Sequence, residues 1–115
     1  KHSGIATFDQ DVFINVVGGI KVSETASDLV VMLSIVSSLR DKVIPSKWIA
    51  FGEVGLTGEV RPVYNAQERL SEAQKQGFEL AIIPKGNQPK KPIKGMQVIP
   101  VGYLYQAIQY LLENS

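Results

Sequence analysis

The sequence predicts an α/β (α+β) layered fold, a mixed sheet packed with about three helices. Short apolar, β-branched runs alternate with stretches of helical periodicity, which places strands and helices in turn. Glycine and proline punctuate the junctions between them. A content of 44% hydrophobic against 20% charged residues in 115 suits one modest core. The chain reads as one domain, 1–115, with no internal repeat and no low-complexity segment.

Val12 to Val17 is β-branched and aromatic and stops at Gly18-Gly19, so it reads as a strand running into a tight loop. A helix is expected from near Thr25 to near Arg40. Thr25 and Asp28 have capping-box spacing, and Leu29, Met32, Leu33 and Val36 recur at helical intervals. With Val30, Val31 and Ile35 added, this helix is apolar nearly all round, as for one buried between layers. Trp48 to Val54 reads as a second strand and Glu59 to Val63 as its short partner across a glycine-rich turn. Asn65 and Glu68 repeat the capping-box spacing and open a helix that ends at Gly77, with Ala66, Leu70 and Ala73 as a narrow apolar stripe. Leu80 to Ile83 is a buried strand, Lys85 to Gly95 a loop and Met96 to Val101 a strand. Tyr103 to Leu112 is a terminal amphipathic helix.

Composition removes several function classes. The longest apolar run, Leu29 to Leu33, is far below the ~20 residues a membrane-spanning helix needs. No signal or lipidation pattern is present. The chain has no cysteine and one histidine, His2, which excludes thiolate and His-rich metal sites and fits a reducing cytoplasm. Lys1-His2-Ser3-Gly4 reads as the end of a helix with a capping glycine, and no initiator methionine precedes it. The expectation is a fragment of a longer protein.

The most informative segment is Gly52-Glu53-Val54-Gly55-Leu56-Thr57-Gly58-Glu59-Val60-Arg61-Pro62-Val63. Glycines three apart, closed by Pro62, are costly in a strand unless the backbone turns sharply or passes close to another group. This segment resembles that of the Lon-type serine/lysine peptidases. It is more similar still to the Lon-like C-terminal domain of the bacterial RadA-type DNA-repair proteins. Asp11 to Ile20, Ser37-Ser38-Leu39-Arg40, Gln67-Glu68-Arg69, Gly77-Phe78 and Ile83-Pro84 carry the same resemblance. The resemblance implies that the complete Lon-like domain has first strands and a helix not contained in these 115 residues. Their absence is expected to expose a sheet edge and to favour abnormal self-pairing.

A serine/lysine peptidase needs a hydroxyl within hydrogen-bond reach of a desolvated lysine whose lowered pKa lets it take the proton. In the resemblance the nucleophile falls in Glu24-Thr25-Ala26-Ser27-Asp28, at Ala26, and the lysine position is Gln67. Ser27 is one residue along, roughly 100° around a helix. Lys75 lies two turns beyond Gln67. Both halves of the dyad are therefore replaced, and no catalytic residue is assigned. A phosphate-binding Gly-x-x-x-x-Gly-Lys-Ser/Thr loop is absent, and the glycine spacing is not that of a dinucleotide fold. Glu53 and Glu59 read as structural, capping turns or pairing with Arg61 or with a neighbouring subunit.

From Leu80 to Leu112 there are four lysines, Lys85, Lys90, Lys91 and Lys94, and no acidic residue. A proline-rich lysine loop suits a phosphate backbone, with affinity that falls as salt rises. A plain solvated loop has the same composition. Tyr103, Tyr105 and Tyr110 are candidates for base stacking or for core positions, at the spacing of the last helix.

The resemblance implies a non-catalytic Lon-like domain serving as an oligomerisation scaffold and DNA-contacting surface of a repair and recombination motor. It implies a hexamer in the full-length protein and a RecA-type recombinase as a further partner. No cofactor is implied in this chain. ATP, Mg and Zn would belong to separate N-terminal domains, an ATPase and a zinc-binding segment. Two other readings stand beside it: a peptidase with a displaced dyad using Ser27 or Ser23, and a pure protein-interaction module.

Overall fold

The computed structural model describes residues 25–115. The strand expected at Val12 to Val17, its Gly18-Gly19 loop, the resembling segment Asp11 to Ile20, and Ser23 lie outside the described residues. The elements run in the order α1 (Asp28–Leu39), β1 (Trp48–Ala50), β2 (Glu53–Val54), β3 (Val60–Arg61), α2 (Ala66–Lys75), β4 (Leu80–Pro84), β5 (Gln97–Val101) and α3 (Leu104–Asn114). Single 3-10 turns at Thr25–Ser27 and Lys85–Asn87 precede α1 and follow β4.

The expected α/β class holds. Its sheet is a parallel trio in the order β1-β4-β5, and β2-β3 form a separate antiparallel ribbon. Trp48 pairs with Leu80 and Ala50 with Ile82, while Leu80 pairs with Gln97 and Pro84 with Val101. All five residues of β4 are buried, as expected of a central parallel strand covered on both faces. Val30 and Leu33 of α1 and Leu111 of α3 meet Ala50 and Ile82 on one face. Leu70 and Ala73 of α2 are buried in the same core. Among the described residues no helix is long and apolar enough to cross a membrane.

Four local expectations are corrected. The strand read as Trp48 to Val54 is broken: β1 ends at Ala50, Phe51 N still donates to Ile82 O of β4 (3.2 Å), and Gly52 turns away before β2. Gly52 has φ +151°, and its N–H donates to Ala26 O (2.8 Å) while its carbonyl accepts from Leu29 N (2.9 Å). The strand thus crosses directly beneath the start of α1. That crossing also replaces the capping box expected at Thr25 and Asp28. The first-turn donor Leu29 N is satisfied by Gly52, and the Asp28 carboxylate accepts from Val54 N (3.1 Å) instead of from its own helix. The helix itself has an open side: Leu29, Val30, Leu33 and Ser37 are buried, but Met32 and Leu39 are exposed.

The box expected at Asn65 and Glu68 is also unformed. Asn65 adopts a left-handed conformation (φ 61°), which asparagine tolerates better than most residues, and its carbonyl accepts from Arg69 N. At the far end of α2 the expectation at Gly77 is met. Phe78 N donates to Ala73 O and Gly77 N to Gln74 O, with Gly77 at φ +93°, a Schellman turn that satisfies the last carbonyls.

Candidate nucleic-acid interface

Parallel neighbours cannot be joined by a tight turn, because the chain must return to the starting edge of the sheet through a connection of about a dozen residues or more. Between β4 and β5 that return is made by residues 85–96, and every lysine of the acid-free stretch lies on it. It contains one 3-10 turn and no α-helix, as Pro89 and Pro92 would lead one to expect. It travels beside α2. Near its start the Asn87 side chain clasps Val63, accepting from its N–H (2.7 Å) and donating to its carbonyl (3.2 Å). Near its end Gln74 Nε2 donates to Lys94 O, and Met96 N closes back on Ile93 O (3.1 Å).

Between these clasps an open cleft of ≈ 720 Å³ separates Val63–Glu68 from Gly86–Lys91. Gln67 lines it, with Lys90 and Lys91 opposite. All four lysines are exposed, and among the described residues none is in an ion pair. Glu68 lies on the same cleft, an acidic group the lysine count alone did not reveal. Ala26 sits in a second hollow of ≈ 400 Å³ with Glu53, Pro62, Tyr64 and Arg69. The two hollows share Val63 and Tyr64, so the stretch leading into α2 is a common wall for Ala26 and Gln67. Ser27 is only 1% exposed, so its hydroxyl does not open onto either hollow. Lys75 is the last residue of α2, at the opposite end of the helix from Gln67.

The glycine-rich segment forms the β2–β3 hairpin. Gly55 and Gly58 bracket its tip through a Gly58 N to Gly55 O bond (3.0 Å), and Leu56 at the tip is fully exposed. Arg61 donates to Glu59 Oε2 (2.7 Å) and approaches Glu53 (4.0 Å). Glu59 also accepts from the Thr57 hydroxyl. The Thr57 hydrogen bond, followed by that from Arg61, lowers its pKa from an ordinary 4.5 to about 2. Pro62 closes the segment against Gly86 at the start of the lysine connection. Among the described residues, no group of three or more acidic or histidine side chains could hold a metal ion.

Sequence reasoning missed the Asn87 clasp. Its one signal was a lone asparagine after Lys85-Gly86, which reads as ordinary turn chemistry.

An α/β unit with a positively charged crossover defines the class of fold and site. The sequence model described as "ChlI: Subunit ChlI of Mg-chelatase" matches residues 1–87, and the chain belongs to that family. It is also similar to proteins named DNA repair protein RadA. It is 58% identical over 98% of its length to the one from Pseudomonas aeruginosa, and 55% over 94% to the one from Escherichia coli K12. A more distant relative of the same name, from Aquifex aeolicus, is 46% identical over 96% of the chain. The chain spans about a quarter of the length of these relatives, covering 25%, 24% and 24% of them. The RadA-type resemblance read from the sequence therefore stands.

Proposed function

We propose that this chain is a non-catalytic, Lon-like part of a RadA-type DNA-repair protein. In this reading it contacts DNA through the 85–96 connection and helps to hold copies of the protein together. The observation that carries the reading is the set of four exposed lysines on one crossover, in no ion pair among the described residues, clasped at both ends and backed by no acid within the stretch 80–112. The family model ends at residue 87, before Lys90, Lys91 and Lys94, whereas the RadA relatives match 94–98% of the chain. That difference favours DNA repair over the activity in the family description.

The peptidase reading is disfavoured by alanine at position 26, glutamine at 67 and the burial of Ser27. ATP, Mg and Zn chemistry, hexamer formation, a cytoplasmic setting and a recombinase partner belong to the same proposal for the whole protein. Leu39, Val43 and Leu56 are exposed apolar side chains available to a self-association contact.

Fluorescence anisotropy with labelled duplex DNA tests the main claim. Replacing Lys90, Lys91 and Lys94 by glutamate should abolish binding that the wild type shows at low salt. Unchanged binding in that variant would remove the assigned role of the crossover. A serine-reactive fluorophosphonate probe should leave the chain unlabelled, and labelling of Ser27 or Ser23 would restore the enzyme reading.

A further inference from the structure

The three tyrosines near the C-terminus separate into two environments. Tyr110 is half-buried with its ring against Trp48, centroids 5.4 Å apart, and serves the core. Tyr103 and Tyr105 are 49% and 64% exposed and stack on each other, centroids 5.9 Å apart and planes 21° from parallel. Residues two apart do not face each other on a helix. These two meet because Tyr103 is still extended (φ −137°, ψ 151°), one residue before α3 begins.

The backbone beneath the pair is held from several directions. Gln106 Oε1 accepts from both Gly102 N (2.7 Å) and Tyr103 N (3.0 Å). Val60 N donates to Gly102 O (2.9 Å) and Leu104 N to Gly58 O (2.8 Å), tying the strand end to the β2–β3 hairpin. Two rings are thus presented to solvent on a fixed support, with only side-chain torsions left to order on binding.

The surroundings favour a polyanion. Pro84 pairs with Val101, so Lys85 and Gly102-Tyr103 leave the same, carboxyl edge of the sheet, where open parallel sheets place their ligands. No acidic residue occurs from Leu80 to Leu112. The acid paired with Tyr103 across the hairpin, Glu59, is already engaged by Arg61 and Thr57.

We propose that Tyr103 and Tyr105 form a base-stacking platform for single-stranded nucleic acid, adding a base-reading surface to the phosphate-tracking lysines. The proposal rests on the DNA-contacting reading above. Stacking of a base on an aromatic side chain contributes on the order of tenfold in affinity per base and tolerates any sequence.

The test measures anisotropy of the full chain with three labelled probes: oligo(dT), an abasic strand with the same number of phosphates, and a duplex. The wild type should bind oligo(dT) roughly tenfold or more tighter than the abasic strand. Tyr103→Ala with Tyr105→Ala should remove that preference while leaving duplex binding and the salt slope unchanged. Tyr103→Phe with Tyr105→Phe should retain the preference, which also guards against misfolding of the alanine variant. Equal binding of oligo(dT) and the abasic strand by the wild type would overturn the platform while leaving the lysine crossover in place. A phenylalanine variant as weak as the alanine variant would overturn it too. A change in mass in solution in place of a change in binding would mark the rings as a protein contact. Loss of all DNA binding in the wild type would remove both readings together.

Discussion

The Ala26–Gly52 crossing and the 85–96 connection both flank the stretch leading into α2, yet they are held in different ways. At the crossing, Gly52 exchanges two backbone hydrogen bonds with Ala26 and Leu29, and Ala26, Leu29 and Phe51 are buried. The connection has its lysines in solvent and is tied by side-chain clasps, from Asn87 to Val63 just before α2 and from Gln74 of α2 to Lys94. The first region is fixed by the core and leaves no side-chain chemistry at Ala26. The second is positioned cheaply and keeps every charge available.

The largest expected effect falls on the crossing. A Cβ at Gly52 would stand 2.9 Å from Val60 Cγ1 and 3.2 Å from Pro84 Cγ, at a φ that side-chain-bearing residues avoid. Gly52→Ala should therefore cost about 3 kcal/mol from combined strain and overpacking, read by urea denaturation. A loss within 0.5 kcal/mol, an ordinary surface effect, would mean the crossing is less constrained than described.

Asn87→Ala is expected next. It removes both bonds to Val63 and should cost about 1–2 kcal/mol. It should also weaken DNA binding, since the lysines would no longer be held beside α2. Full stability with normal binding would sever the link between clasp and loop.

The triple variant Lys90→Glu, Lys91→Glu, Lys94→Glu should sit at the other extreme. Exposed, and in no ion pair among the described residues, these lysines should shift stability by no more than about 0.5 kcal/mol even as binding is lost. A large drop in melting temperature would show that the loop is structural.

The smallest effect concerns pH at the hairpin. Glu59 titrates near 2 when folded, below its ordinary 4.5, so its contribution is complete above 4.5 and is lost as pH falls toward 2. Because the carboxylate is exposed, the change should be slight, and Glu59→Gln should flatten it. Stability that rises on acidification between pH 4.5 and 2 in the wild type only would reverse the sign and contradict the pairing.

Periodicity made much of the architecture legible. The helix spanning residues 66–75 and its Gly77 terminus followed from local spacing, as did the buried strand at Leu80 to Ile83. What local spacing concealed was contact made at a distance. Both capping boxes failed because Gly52 and Val54, far along the chain, took over the start of α1, and because Asn65 turned left-handed. The orientation of Tyr103 was hidden for the same reason, since helical spacing assigned it to α3 while the extended backbone before the helix turned its ring onto Tyr105. The lysines were visible in composition. Their alignment along α2 follows from a topology in which β4 and β5 are parallel, and only that topology explains the loop's length.

The salt dependence of duplex binding tests the central claim most directly. With three to four lysines on phosphates, log K of the wild type should fall against log salt with a slope of roughly −3, and the triple variant should show no binding at any salt concentration. A wild type that binds no duplex at low salt, or binds with a flat slope, would contradict the account.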